Sequence, residues 1–179
     1  MPQLGKQLIN TGLVAAVLVF CSACNGTKDL AENLIKPDDQ LGGMLVTTGE
    51  GRETTIFDYC DPFTEGPGVY VRDCSVPPIP NLKIGWGWLA DTEDMLDSIW
   101  KTFSWEMTLD GRQIDLSAFG TRDRSLILGG RSVILREWNV VLDKATLGEH
   151  TLHYTVRQSH SGAEDTVIDM TYNFTVAER

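Results

Sequence analysis

The chain has 179 residues and is acidic, with 25 Asp and Glu against 15 Lys and Arg and a formal net charge of −10. Charge-driven binding of nucleic acid is excluded, because counterion release needs clustered Lys and Arg. The basic neighbours here, Arg122 with Arg124 and Arg131 with Arg136, alternate with acids and apolar residues. At this length and with 42% hydrophobic residues, one domain with a real core is expected.

The first predicted element is an export signal. Lys6 supplies a thin basic start, residues 13–20 form an apolar run, and Ser22-Ala23 are the small residues a signal peptidase requires. The run is too short to span a bilayer, which takes about 20 apolar residues. The stretch Phe20-Cys21-Ser22-Ala23-Cys24 resembles the lipobox of bacterial lipoproteins, with Cys21 standing where Leu is usual. That resemblance implies removal of residues 1–23 as a lipoprotein signal peptide and diacylglycerol on Cys24. It also implies an extracytoplasmic protein, anchored to the bacterial membrane or displayed at the cell surface. Secretion with cleavage after Ala23 and no lipid is the alternative. Residues 24–43 are mostly polar and read as a flexible tether.

Residues 44–179 are predicted to form a single β-sandwich domain, with an elaborated front over 44–103. Strands are expected at 44–48 and 54–57. With Cys21 removed and Cys24 acylated, Cys60 and Cys74 remain, and an even pair in an exported protein predicts a disulfide. A Cys nucleophile beside a His base is the alternative. The segment between the two cysteines is rich in Pro and Gly and reads as an irregular loop. Val76-Pro77-Pro78-Ile79-Pro80 must be extended, since Pro fixes its own φ and keeps its predecessor out of the helical region. It leads into Leu82-Lys83-Ile84-Gly85-Trp86-Gly87-Trp88. One short helix is predicted over 91–103, with Asp91 as N-cap, acids in the first turn and Lys101 in the last. Its packing side would carry Met95, Leu96, Ile99, Trp100 and Phe103.

From residue 104 the hydrophobic period becomes two. Trp105, Met107 and Leu109 alternate up to Asp110-Gly111, a type I′ hairpin signal because both central residues need positive φ; Ile114 and Leu116 continue beyond it. Further strands are predicted at 125–128, 132–142, 149–158 and 166–176. Such a succession with Gly- and Asp-bearing turns argues for a mainly β fold, an antiparallel sandwich. Leu147-Gly148-Glu149-His150-Thr151-Leu152-His153-Tyr154-Thr155-Val156 and Tyr172-Asn173-Phe174-Thr175-Val176 resemble the closing strands of bacterial immunoglobulin-like domains. The resemblance covers about residues 104–179 and implies an immunoglobulin-like β-sandwich behind an irregular, disulfide-bearing N-terminal part. It brings no catalytic residue with it.

Trp86 and Trp88 flank Gly87 and share one side of an extended chain. Two rings with no crowding between them suit a sugar, whose CH faces pack on aromatic faces; burial in the core is the alternative. Asp91, Glu93, Asp94 and Asp97, or Asp58 with Asp61, supply oxygens of the kind calcium takes. Their spacing fits no EF-hand loop, and helix capping accounts for two of the first four. His150 and His153 fall on opposite faces of one strand and cannot chelate together, while His160 lies in a polar turn. No nucleophile-elbow, zinc-protease, phosphate-loop or dinucleotide motif is present.

The expectation is a lipid-anchored extracytoplasmic binding or structural protein of the cell envelope, without catalysis, metal or cofactor. Its partner would be a protein or an envelope polysaccharide. Carbohydrate binding through Trp86 and Trp88 is the first alternative. A hydrolase using two acids, or an acid with His160, is the second.

Overall fold

The computed structural model describes residues 34–60 and 66–177. The expected signal, Cys24, most of the expected tether and Asp61 therefore lie outside the described residues. The chain enters the fold ahead of the boundary predicted at residue 43. Ile35 is fully buried; its N–H donates to Gln113 and its carbonyl accepts from Asp115. Strand β1 (Asp39–Leu41) then pairs with β2 (Met44–Thr47) across Gly42-Gly43.

Among the described residues three sheets make up the body. One runs in the order β4 (Gly68–Val76), β13 (Thr166–Val176), β12 (Gly148–Gln158), β7 (Phe103–Leu109) and β8 (Arg112–Gln113). The second is β1, β2, β11 (Val141–Asp143), β5 (Leu82–Lys83) and β3 (Thr54–Thr55). The third is β6 (Gly87–Ala90), β10 (Arg131–Trp138) and β9 (Thr121–Leu128), with β9 on the edge and exposed along most of its length. The fold is mainly β, as predicted. Most strand pairs are antiparallel, as expected; β4 with β13 and β3 with β5 pair in parallel.

Period two places the core. On β12 it is Leu152, Tyr154 and Val156 that are buried, and on β13 Ile168, Met170, Tyr172, Phe174 and Val176. Met44, Val46, Leu82, Ile84 and Leu142 join the same cluster from the second sheet. Burying each such side chain contributes about 1.5–3 kcal/mol. The Tyr154 hydroxyl donates to the Ile84 carbonyl, so the interior of one sheet is pinned to the other by a hydrogen bond as well as by packing.

Several local features differ from the sequence reading. Helix α1 is Glu93–Trp100, shorter than 91–103. Thr92 is its N-cap, accepting from the Met95 N–H at 3.3 Å, while Asp91 pairs with Arg131 at 2.7 Å. Leu96 is buried, Met95 is exposed, and Phe103 opens β7. A second helix, α2 (Leu116–Phe119), stands where a strand was expected to continue, so among the described residues the single predicted helix becomes two. Its start is set by Asp115, which accepts from the Ala118 N–H and from Ser117 Oγ. The predicted strand at 54–57 yields after Thr55 to a 3₁₀ turn, Ile56–Tyr59. The predicted disulfide joins that turn to β4 through Cys60 and Cys74. Part of the loop expected between them is thus the nine-residue strand β4. The strand predicted at 132–142 breaks at Asn139-Val140, where the chain passes from the third sheet to the second. The Asp110-Gly111 turn is as predicted, with φ of 49° and 75°. Among the described residues no helix is long and apolar enough to cross a membrane.

Candidate functional site

Strands β5 and β6 are one run of chain crossing from the second sheet to the third, and β10 and β11 make the return crossing beside it. Hydrogen bonds bind the two crossings together. Ile84 and Gly85 N–H donate to the Val140 carbonyl at 3.0 and 3.1 Å, and Trp138 N–H donates to the Trp86 carbonyl at 2.9 Å. The backbones run so close that a Cβ on Gly85 would collide with the Trp138 carbonyl, and one on Gly87 with that of Arg136. The alternation Gly85-Trp86-Gly87-Trp88 follows from this: residues without side chains face the neighbouring backbone, and the indoles take the opposite side.

A cavity of about 570 Å³ lies there, lined by residues from all three sheets. Trp86 and Trp88 both line it, together with Phe57, Leu89, Leu135 and Ile168. Thr55, Gln158 and Thr166 add hydroxyl and amide groups. Both indoles are half-buried. Trp86 meets Trp105 and Tyr154 edge-on, with ring centroids 5.9 Å apart in each case, and Trp88 lies 4.7 Å from Phe103. Phe103 is in turn 5.5 Å from Trp105, which stacks on Trp100 at 5.0 Å and meets Trp138 at 6.4 Å. The five tryptophans of the chain thus form one aromatic cluster with Phe103. Trp86 and Trp88 both pack against the core, and both border the cavity.

Three charged residues that the sequence reading did not single out also line this cavity. Lys83 Nζ donates to both Glu137 oxygens, at 2.9 and 2.8 Å, and the two side chains are only 6% and 8% exposed. Arg124 Nε lies 3.3 Å from Glu137 Oε1, and this side chain is 44% exposed. A signal for the pair did exist in the sequence. Lys83 and Glu137 interrupt apolar runs, and a charge in such a run is buried only when it is paired. Which residue pairs with which was not readable, because the partners stand 54 positions apart.

The other candidates are engaged elsewhere. Arg136 holds Asp97 at 2.8 Å and Asp123 at 2.6 Å and lies over the Trp100 ring; Asp123 and then Asp97 raise its pKa above the ordinary value against the opposing effect of burial. Of the four acids around α1, Asp91 pairs with Arg131 and Asp97 with Arg136, while Glu93 and Asp94 lie in the first turn of the helix. Among the described residues no group of three His, Cys, Asp or Glu side chains is arranged to hold a metal. His150 stacks on Phe174 and meets Asp110 at 2.9 Å, while His153, on the opposite face, meets Asp169 at 3.0 Å. His160 Nε2 is 2.9 Å from Oγ1 of Thr166, a cavity residue. Among the described residues the cavity lining includes one carboxylate, Glu137, already neutralised by Lys83. The carboxylate pair that glycoside hydrolysis uses is not assembled from these residues. A second cavity, of about 450 Å³, is lined by Trp100, Phe103, Trp105 and Trp138 with Leu34 and Leu116.

No protein-family model matches the chain, and no curated protein matches it. Among solved structures it is similar to a cysteine protease inhibitor from Entamoeba histolytica, at 10% identity and a TM-score of 0.27, over 63% of this chain and all of that one. A likeness so distant says nothing of activity or partner.

Proposed function

We propose that the protein is an extracytoplasmic binding protein, held to a bacterial membrane by lipid on Cys24, that takes a saccharide into the cavity bordered by Trp86 and Trp88. One observation carries this reading: two partly buried indoles, set apart by a glycine, line a single concave space. Binding sites for small molecules are concave, largely apolar and furnished with a few polar groups, and this cavity has that make-up. A sugar ring presents CH faces to indoles and hydroxyls to groups such as those of Gln158 and Thr166. The rings need no reordering to receive it, because Trp86 is held by Trp105 and Tyr154 and Trp88 by Phe103. The binding energy is therefore not spent on immobilising them.

The reading is tested by titrating the purified protein with envelope and plant polysaccharides while following tryptophan fluorescence. A saturable change is expected, and Trp88→Ala should weaken it at least about tenfold, equivalent to about 1.4 kcal/mol, while the circular dichroism of the fold persists. Trp86→Ala should do the same with a larger loss of stability, because that ring also packs on Tyr154. Silence across the panel, or titrations indifferent to both substitutions, would refute saccharide binding here. The anchor has its own test. Cys24→Ser should move the protein from the membrane fraction to the soluble one, and continued membrane retention would count against lipidation.

A further inference from the structure

We propose that the cavity selects a saccharide carrying a carboxylate, and that Arg124 is the residue that reads this charge. The inference rests on the saccharide reading above and sharpens it to acidic sugars. Among the described residues the cavity lining holds two cations, Lys83 and Arg124, against one carboxylate, Glu137, which leaves one positive charge in surplus. That surplus is local, since the chain as a whole is at −10.

The two cations are not equivalent. Lys83 is closed to solvent and spends its donors on both Glu137 oxygens within 2.9 Å. Arg124 approaches the same carboxylate only loosely, with Nε at 3.3 Å and Nη2 at 3.5 Å, beyond the roughly 2.7–2.9 Å of a well-made charge-assisted bond. Its partner is already neutralised, its side chain is nearly half exposed, and among the described residues its hydrogen bond and ion pair use Nε and Nη2 rather than Nη1. A guanidinium is a rigid fork whose spacing matches a carboxylate's two oxygens. The neighbouring arginines are committed elsewhere: Arg136 is saturated by Asp97 and Asp123, and Arg122 donates to the Glu50 carbonyl at 2.9 Å. Trp86 and Trp88 would hold the ring of the sugar, and Arg124, which lines the same cavity from β9, its acid group.

The test uses the purified full chain and oligosaccharides of polygalacturonate, alginate and hyaluronate, each titrated beside its carboxyl-reduced form. At least one acidic form is expected to bind about tenfold or more tightly than its reduced counterpart. Arg124→Gln should bring that ratio toward one, while Arg124→Lys, which keeps the charge but loses the fork, should retain only part of it. Arg124 lies on an exposed edge strand, so both variants are expected to fold, and circular dichroism checks this. Equal affinity for acidic and reduced forms, or a preference that survives Arg124→Gln, overturns the inference and leaves saccharide binding standing. No binding of any form, acidic or neutral, removes the saccharide reading and the inference with it.

Discussion

Two of the residues that line the cavity, Lys83 and Glu137, are also costly to alter. Lys83 and Glu137 are both more than nine-tenths buried and joined by two short hydrogen bonds. Removing one member of a buried pair typically costs about 3–5 kcal/mol, because the other is left charged and unsolvated, whereas replacing both by apolar residues is often near neutral. The surroundings make this pair asymmetric. Without Lys83, Glu137 keeps Arg124 nearby. Without a charged Glu137, Lys83 and Arg124 face each other as two cations. Glu137→Gln is therefore expected to lower the urea midpoint more than Lys83→Met, and Lys83→Met combined with Glu137→Leu to lower it less than Glu137→Gln alone. Additive losses in the double variant would mean that the two side chains do not support each other.

Elements differed in how far they could be read from sequence, and the reason is physical. Strands β12 and β13 were legible because each buries one face and shows the other to solvent, so that polarity alternates at every residue. The Asp110-Gly111 hairpin was legible because few dipeptides accept two positive φ values. By contrast, β4 appeared as an irregular loop. Its exposed face carries Val69 and Val71, 78% and 62% exposed, which blurs the alternation, and its parallel partner lies about a hundred residues away. Helix α1 was recognised with its start set too early, since Asp91 and Thr92 are both competent caps and tertiary contact decides between them: Arg131 takes Asp91. The site was half legible. Gly85-Trp86-Gly87-Trp88 stood out as a motif and its rings do share one side. The crossing that demands the glycines, and the ion pair beside it, depend on chain segments that no local pattern links.

At the scale of the whole molecule, the sheets are coupled through tyrosines. Burial raises the pKa of Tyr154 well above the ordinary value, with nearby Tyr172 adding to it. Burial also pushes Tyr172 up to about 12, against a smaller opposing effect of Arg72. Below pH about 10, the ordinary tyrosine value, folded and unfolded chains alike keep these protons, and this contribution to stability is fully present. Between about 10 and 12 the unfolded chain releases protons that the folded chain retains, so stability falls by about 1.4 kcal/mol per pH unit for each such tyrosine. The urea midpoint should fall steeply above pH 10, and less steeply in Tyr172→Phe. Identical slopes in the two proteins would show that Tyr172 is not responsible. Strand β9 is the opposite extreme, an edge strand with little of its surface covered. Substitutions on such a surface usually alter stability by no more than about 0.5 kcal/mol in either direction, while Arg124, at the cavity, sits among them. The chemistry beside the cavity can therefore be rewritten along this strand while the core stays as it is, so this flank is where the fold tolerates change most freely.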